Sequence, residues 1–292
     1  MKRIVCIPAY NEGHIIHKLI TECKKYADLI IVCDDGSSDN TSLEAKSAGA
    51  LVINHKTNKG KGAALRSLFD TAKKNNPDVV VTIDGDGQFL PEEIPKLMNP
   101  VLEKQIDIVI GYRFSDSSEM PAYRQFGNKF LDKITNLASE LPFRDTQSGF
   151  RAYSRQALTK IVFSNNNFAA DSEILINASK MGLKISEEKI TVLYNVGGST
   201  STLNPVHHTA SVFSSLIEMV ALKKPLLLLG IPGLILTIIG IVYSVNVIAI
   251  FNDTRYFSIP ITLLSIGSLT IGLILSLMSI VLYSISKVSK KV

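Results

Sequence analysis

The chain has 292 residues, 46% of them hydrophobic and 20% charged, with a mean hydropathy of +0.22. These values exclude a disordered chain, a collagen-like chain and a disulfide-stapled mini-protein. The formal charge is +5, but beyond position 210 the only acidic residues are Glu218 and Asp253, against Lys223, Lys224, Arg255, Lys287, Lys290 and Lys291. The positive excess therefore sits in an apolar tail and not on a folded domain, which excludes a nucleic-acid footprint and predicts no nucleic-acid partner.

In chain order, Met1-Lys2-Arg3 leads straight into a short apolar run, too short for the core of a signal peptide. Apolar, β-rich runs recur at Ile4–Ile7, Leu29–Cys33, Leu51–Ile53, Val79–Ile83 and Ile106–Ile110. Helix-like segments separate them, roughly Glu12–Lys25, Asn40–Ala48, Gly60–Lys74 and Pro91–Glu103. Short apolar strands without alternation are buried on both faces, and strand–helix–strand succession predicts an α/β fold with a mostly parallel sheet and right-handed crossovers. Cys6 and Cys33 lie inside these runs, and with Cys23 they form no CxxC pair. Neither zinc nor a disulfide is expected, and a reducing, cytosol-facing compartment is.

Ligands of such sheets bind beyond the carboxyl ends of the strands, so the residues after each strand carry the chemistry. They are Pro8–Glu12, Asp34–Asp39, Asn58–Gly62, Asp84–Gln88 and Gly111–Arg113, mostly polar and glycine-rich. Asp84-Gly85-Asp86 leaves a buried strand. Asp and Gly are ordinary turn residues, yet two carboxylates at a strand end also suit Mg²⁺ or Mn²⁺, with Gln88 as a further oxygen donor and phosphates completing the shell. In Asp34–Asp39, Ser38 or Asp39 serves as a helix N-cap, which leaves Asp35 to accept hydrogen bonds from a base or ribose. Pro8–Glu12 offers a rigid turn, an aromatic face and a carboxylate.

The tail holds two uncharged runs, Leu226–Ile250 and Phe257–Ser286, each longer than the ~20 residues that cross ~30 Å of hydrocarbon. They predict two transmembrane helices, about 226–250 and 258–286, joined by the tight hairpin Asn252–Tyr256. Gly230, Gly233, Gly240, Gly267 and Gly272 suit close packing between them. Lysines flank both outer ends, so both termini and the main domain are expected on the cytosolic side of the cell membrane. Domain limits of 1–204, 205–224 and 225–292 follow. The middle segment is either an amphipathic helix on the lipid surface or an ordinary domain helix.

Pro8–Glu12, Asp34–Thr41, Asn58–Gly62, Asp84–Gln88, Gly111–Arg113 and Asp145–Arg151 occur in the order and at the spacing that resemble family 2 glycosyltransferases, over about residues 3–200. Within that family the chain looks most like the polyprenyl-phosphate (dolichyl-phosphate) sugar synthases. The resemblance implies a GT-A fold that binds a nucleotide-sugar and Mg²⁺ or Mn²⁺. It implies that Pro8, Tyr10, Glu12 and Asp35 hold the nucleoside, with Lys61 also on the nucleotide. Asp84, Asp86 and Gln88 would hold the metal and diphosphate, and Arg113 and Arg124 the phosphates. Asp145, Gln147 and Arg151 would line the sugar and acceptor side, and with Asp86, Arg113 and Arg124 they make the expected catalytic set.

The expected reaction is metal-dependent and inverting, moving one hexose from a UDP- or GDP-sugar to a polyisoprenyl phosphate at the bilayer. Competing readings are transfer to a lipid hydroxyl such as that of diacylglycerol, and a non-catalytic nucleotide-sugar-binding scaffold; the oligomeric state is open. A phosphate acceptor is already anionic and needs no strong base, whereas a hydroxyl acceptor would turn to Asp171 or Glu173. Two features depart from the resemblance: residues 194–202 carry no positive charge, and the absence of tryptophan removes the Gln-x-x-Arg-Trp motif of processive synthases. Adjacent His207 and His208 point apart on a helix and are not expected to bind metal.

Overall fold

The computed structural model describes residues 1–103, 105–113, 132, 135–136, 142–164, 169–193 and 225–289. The chain divides into two compact units, Met1–Phe213 and Ser214–Val292.

In the first unit, the strands are β1 (Arg3–Ala9), β2 (Leu29–Asp34), β3 (Leu51–Asn54), β4 (Val79–Thr82), β5 (Ile108–Tyr112), β6 (Arg151–Ser154) and β7 (Ile185–Lys189). The helices are α1 (Ile16–Cys23), α2 (Thr41–Ser47), α3 (Lys61–Lys74), α4 (Ile94–Glu103), α5 (Arg155–Lys160) and α6 (Ala169–Lys180). One sheet runs in the order β3-β2-β1-β4-β6-β5-β7. All pairings are parallel except those of β6, which lies antiparallel between β4 and β5. The five apolar runs read from the sequence are β1 to β5; β6 and β7 are additional.

Alternation along β1 divides the core. Ile4 and Cys6 face a layer with Leu65, Leu68 and Phe69 of α3, Leu158 of α5 and Ile174 and Leu175 of α6. Val5, Ile7 and Ala9 face the other layer, with Ile16, Leu19 and Ile20 of α1, Ala45 of α2 and Ile94, Leu97 and Met98 of α4. Each fully buried Ile or Leu contributes about 1.5–3 kcal/mol over an exposed one, and these two layers hold every strand end in register. The three cysteines are free and buried. Burial pushes the Cys23 and Cys33 thiols up to about 12 and raises Cys6 as well, so none is a ready nucleophile.

In the second unit, α7 (Leu226–Thr254) and α8 (Ile259–Ser289) are long, predominantly apolar helices. Mean hydropathies of 2.5 and 2.1, with only 11% and 17% of the most apolar windows buried, separate them from core helices of a soluble domain and are compatible with membrane anchoring. Arg255, in the left-handed region at φ 54°, ends α7. A Cβ on Gly240 would come 2.7 Å from the Leu269 backbone N, and one on Gly272 would come 2.5 Å from Thr237 N, so these two glycines let the helices touch. Ser265 Oγ donates to the Gly240 carbonyl at 3.0 Å and sits 2.6 Å from Ser244 Oγ. Gly267 differs from the packing expectation: a Cβ there would meet open space.

Candidate active site

The carboxyl ends of β1, β2 and β4 converge because their loops are stitched to one another. Asn11, in the left-handed region at φ 59°, donates its N–H to Ser37 Oγ at 2.9 Å, and its side-chain oxygen accepts the Ser38 N–H at 2.9 Å. The Glu12 N–H reaches Thr41 Oγ1 at 2.8 Å. Asp39 accepts the Thr41 N–H at 3.0 Å just before α2, but the N-cap residue of that helix is Asn40, not Ser38 or Asp39. A Cβ on Gly85 would lie 3.0 Å from the Pro8 carbonyl, and the glycine thereby lets the Asp84–Gln88 loop pass against the β1 loop.

The acidic edge is built on this frame. Asp86 Oδ1 accepts the Gln88 N–H at 3.0 Å, closing a turn through Gly87 at φ 71°. Burial, then repulsion from Asp84, raises Asp86 to about 6 against the pull of Gln88 N–H, Lys61 and Arg113. Burial, with repulsion from Asp86, Asp39 and Asp84, raises Glu12 to about 7. Three carboxylates thus share one desolvated edge, an arrangement that calls for a cation. Asp84 is fixed from two sides. Lys61 Nζ sits 2.8 Å from its Oδ1, and a Cβ on Gly149 would overlap both of its oxygens. Burial alone would lower Lys61, but Asp171, 3.2 Å away, and Asp84 outweigh it and raise its pKa.

Hard oxygens on Asp84 and Asp86, with a deficit of positive charge, fit Mg²⁺ or Mn²⁺. Among the described residues no group of three or more His, Cys, Asp or Glu forms a ready-made metal cage, so the donor set suits an ion that takes its remaining ligands from a diphosphate and water. For Gln88 the main-chain groups are engaged, the N–H with Asp86 and the carbonyl with Leu193 N at 2.9 Å.

Arg113 follows β5 and is gripped by Asp145, with Nε 2.6 Å from Oδ2 and Nη2 2.9 Å from Oδ1. Asp145 is wholly buried, so it holds Arg113 from beneath and does not itself line the sugar side. Arg151 also departs from the expectation. It is fully buried on β6 and donates to the carbonyls of Asp171 at 2.8 Å and Thr146 at 2.7 Å, tying the first turn of α6 to the Thr146 loop instead of facing a substrate. Gln147 donates to Ser172 Oγ at 2.6 Å. Asp171 pairs with Lys61, and Glu173 accepts the Ser164 N–H at 3.2 Å, so both base candidates are engaged in structural contacts. Arg124, His207, His208 and residues 194–202 lie outside the described residues.

Asp35 is 4% exposed, and its carboxylate accepts His55 Nδ1 at 2.6 Å, Lys59 N–H at 3.0 Å and Gly60 N–H at 2.8 Å. It ties the β2 end to the loop entering α3, and His55 is a member of the site that the sequence reading passed over. Two others are Asp132 and Glu187. Asp132 Oδ1 accepts both Thr146 N–H and Oγ1–H at 2.7 Å, and burial with repulsion from Asp145 raises it to about 7. Glu187, on the edge strand β7, accepts the Arg144 N–H at 2.7 Å and so anchors the segment that carries Asp145.

A mixed, mostly parallel α/β sheet whose strand ends carry an acidic pair, a clamped arginine and an aspartate in the next loop has the layout of a GT-A-like glycosyltransferase. The family model for glycosyl transferase family 2 matches residues 4–162, and the chain belongs to that family. It is 34% identical over 212 residues to a UDP-N-acetylglucosamine–dolichyl-phosphate N-acetylglucosaminyltransferase of Methanococcus voltae, covering 64% of this chain and 84% of the relative. It is 29% identical over 218 residues to a dolichyl-phosphate hexose transferase of Haloferax volcanii, covering 74% and 92%. Among solved structures, glucosyl-3-phosphoglycerate synthase of Mycobacterium tuberculosis, in complex with Mn²⁺, UDP and glucosyl-3-phosphoglycerate, superposes with a TM-score of 0.59 at 22% identity, over 74% of this chain and 79% of that one. That likeness shows the fold.

Proposed function

We propose that this protein is a membrane-anchored, metal-dependent, inverting transferase that moves one hexose from a UDP-sugar to a polyisoprenyl phosphate at the cytosolic face of the cell membrane. The observation that carries the reading is the Asp84–Asp86 pair, desolvated and mutually repelling, with Arg113 within electrostatic reach of Asp86. Two relatives named for transfer to dolichyl phosphate support the acceptor class.

Asp35 favours uracil over guanine. A carboxylate offers about four lone-pair directions, and His55, Lys59 and Gly60 take three of them. The single remaining acceptor matches the lone N3–H of uracil, whereas guanine presents two adjacent donors and would leave one unmet. Tyr10, Pro8 and Glu12 complete the nucleoside side of this reading.

Asp84 and Asp86 would hold the divalent ion, with Gln88 assigned as a further oxygen donor, and the bound ion would supply positive charge to the departing diphosphate. Arg113, held rigid by Asp145, supplies fixed positive charge to the same leaving group without reorganising as the bond breaks. Arg124 is assigned to the phosphates as well. Lys61 keeps Asp84 in place, and Arg151 and Gln147 hold the Thr146 loop and the first turn of α6, which border the acceptor side in this reading. An oxygen of the acceptor phosphate attacks the anomeric carbon, the bond to the UDP oxygen breaks on the opposite face, and no protein base is called upon. That agrees with the engaged state of Asp171 and Glu173.

The test is transfer from labelled UDP-hexoses in washed membranes. The wild type forms an acid-labile, chloroform-soluble product, and Asp86→Ala or EDTA removes it. Undiminished transfer by Asp86→Ala overturns the metal assignment, and an acid-stable glycolipid product redirects the acceptor to a lipid hydroxyl.

A further inference from the structure

Beneath the nucleoside loop, apart from the acidic edge, four side chains on three segments meet: Cys33 and Asp35 at the end of β2, His55 just after β3, and Ser67 in α3. His55 Nδ1 lies 2.6 Å from Asp35 Oδ1, and its Nε2 lies 2.9 Å from Ser67 Oγ and 3.6 Å from Cys33 Sγ. The pair is almost closed to water, with side-chain exposures of 8% for His55 and 5% for Asp35. A carboxylate only accepts, so Nδ1 carries the proton that Asp35 Oδ1 receives, and Nε2 faces the Ser67 hydroxyl. The direction of the ring-to-carboxylate bond is thereby set, from His55 Nδ1–H to Asp35 Oδ1.

With His55 and the Lys59 N–H both on Oδ1, and Gly60 on Oδ2, the open acceptor direction belongs to Oδ2. The two backbone donors belong to the loop entering α3, whereas the ring sits between the end of β2 and α3. We infer that His55 is a positioning residue for donor recognition: backed by Ser67, it fixes the Asp35 carboxylate so that the free Oδ2 lone pair faces the nucleoside. The inference rests on the reading above, in which Asp35 meets the base.

The experiment uses the full-length protein in detergent and measures the donor KM, kcat and the Kd of UDP by calorimetry. A lost hydrogen bond to a charged group predicts that His55→Ala raises KM and the UDP Kd about tenfold while kcat stays within about twofold. His55→Asn, whose amide N–H can stand where Nδ1–H stood, restores most of the affinity, and His55→Gln, which reaches toward Ser67 instead, does not. A double variant with Asp35→Asn binds no worse than Asp35→Asn alone, because His55 acts only through that carboxylate. Should His55→Ala prove unstable, Ser67→Ala provides the milder case, with a smaller rise in Kd of the same kind. An unchanged UDP Kd in folded His55 and Ser67 variants, or additivity in the double variant, overturns the inference while leaving the Asp35 assignment standing. An Asp35→Asn protein with wild-type KM and Kd overturns that assignment instead, and the role given to His55 with it.

Discussion

A single methyl group placed at Gly149 would overlap both carboxylate oxygens of Asp84 and so force that carboxylate from its seat beside Lys61. Gly149→Ala is therefore expected to weaken Mn²⁺ binding at least about tenfold, read by titration of the full-length protein, with a small change in melting temperature. The pH response belongs to the same residues. Folding raises Glu12 from 4.5 to about 7, Asp86 from 3.8 to about 6 and Asp132 from 3.8 to about 7. Between the unfolded and folded values the native state holds protons that the unfolded chain has released, so these groups make stability fall as pH rises from about 4 to about 7. Asp28 and Asp39 are shifted downward and titrate below that window. Thermal melts without divalent ion should show Tm dropping from pH 5 to pH 7.5, and added Mg²⁺ should raise Tm more at pH 7.5 than at pH 5, where protons compete for the same oxygens. Asp84, Asp86 and Arg113 were legible because they follow apolar strands. The contrary positions of Asp145 and Arg151 were not, since a charged residue type does not disclose whether its partner is solvent, substrate or, as for Asp145, an arginine 32 positions earlier.

At the scale of elements, β1 to β5 could be read because each is a short, continuous apolar run, the pattern of a strand covered on both faces. Strands β6 and β7 escaped for opposite reasons. Arg-Ala-Tyr-Ser on β6 buries an arginine whose charge is met by backbone carbonyls, so its composition resembles a loop. Ile-Ser-Glu-Glu-Lys on β7 is an edge strand, where polar side chains are the rule. Both strands nonetheless serve the site. Glu187 of β7 anchors the Arg144 N–H, and with it the segment whose Asp145 clamps Arg113. Glu187→Ala should lower kcat about tenfold and leave the UDP Kd unchanged, because it loosens the leaving-group clamp and not the nucleoside loop. Ser154, where β6 passes into α5, makes a control with no link to catalysis. Its Oγ accepts the Ala157 N–H at 3.0 Å, so Ser154→Ala should cost about 1 kcal/mol in denaturant melts and leave transfer kinetics intact.

For the whole molecule, the tail was the easiest part to read, since long uncharged runs have few interpretations, and the packing of Gly240 and Gly272 agrees with a helical hairpin. The orientation proposed for the hairpin rests on charge alone: Lys223 and Lys224 precede α7, and Lys287, Lys290 and Lys291 lie at the far end of α8 and beyond it, whereas the tip between the helices carries one Asp and one Arg. Lysine-rich flanks stay in the cytoplasm, so the tip at Asp253 should be the part that crosses. The cysteine content makes the test clean. Cys6, Cys23 and Cys33 are the only thiols in the sequence, and all three are buried, with pKa values raised well above neutrality. In intact cells, a membrane-impermeant maleimide should therefore label Asp253→Cys and ignore both the parent protein and a cysteine appended after Val292, which reacts only once the membrane is opened. Labelling of the appended cysteine in intact cells, with Asp253→Cys silent, would put the nucleotide-sugar site on the side of the membrane where the donor is not made, and the cytosolic reaction proposed above would fall with the topology.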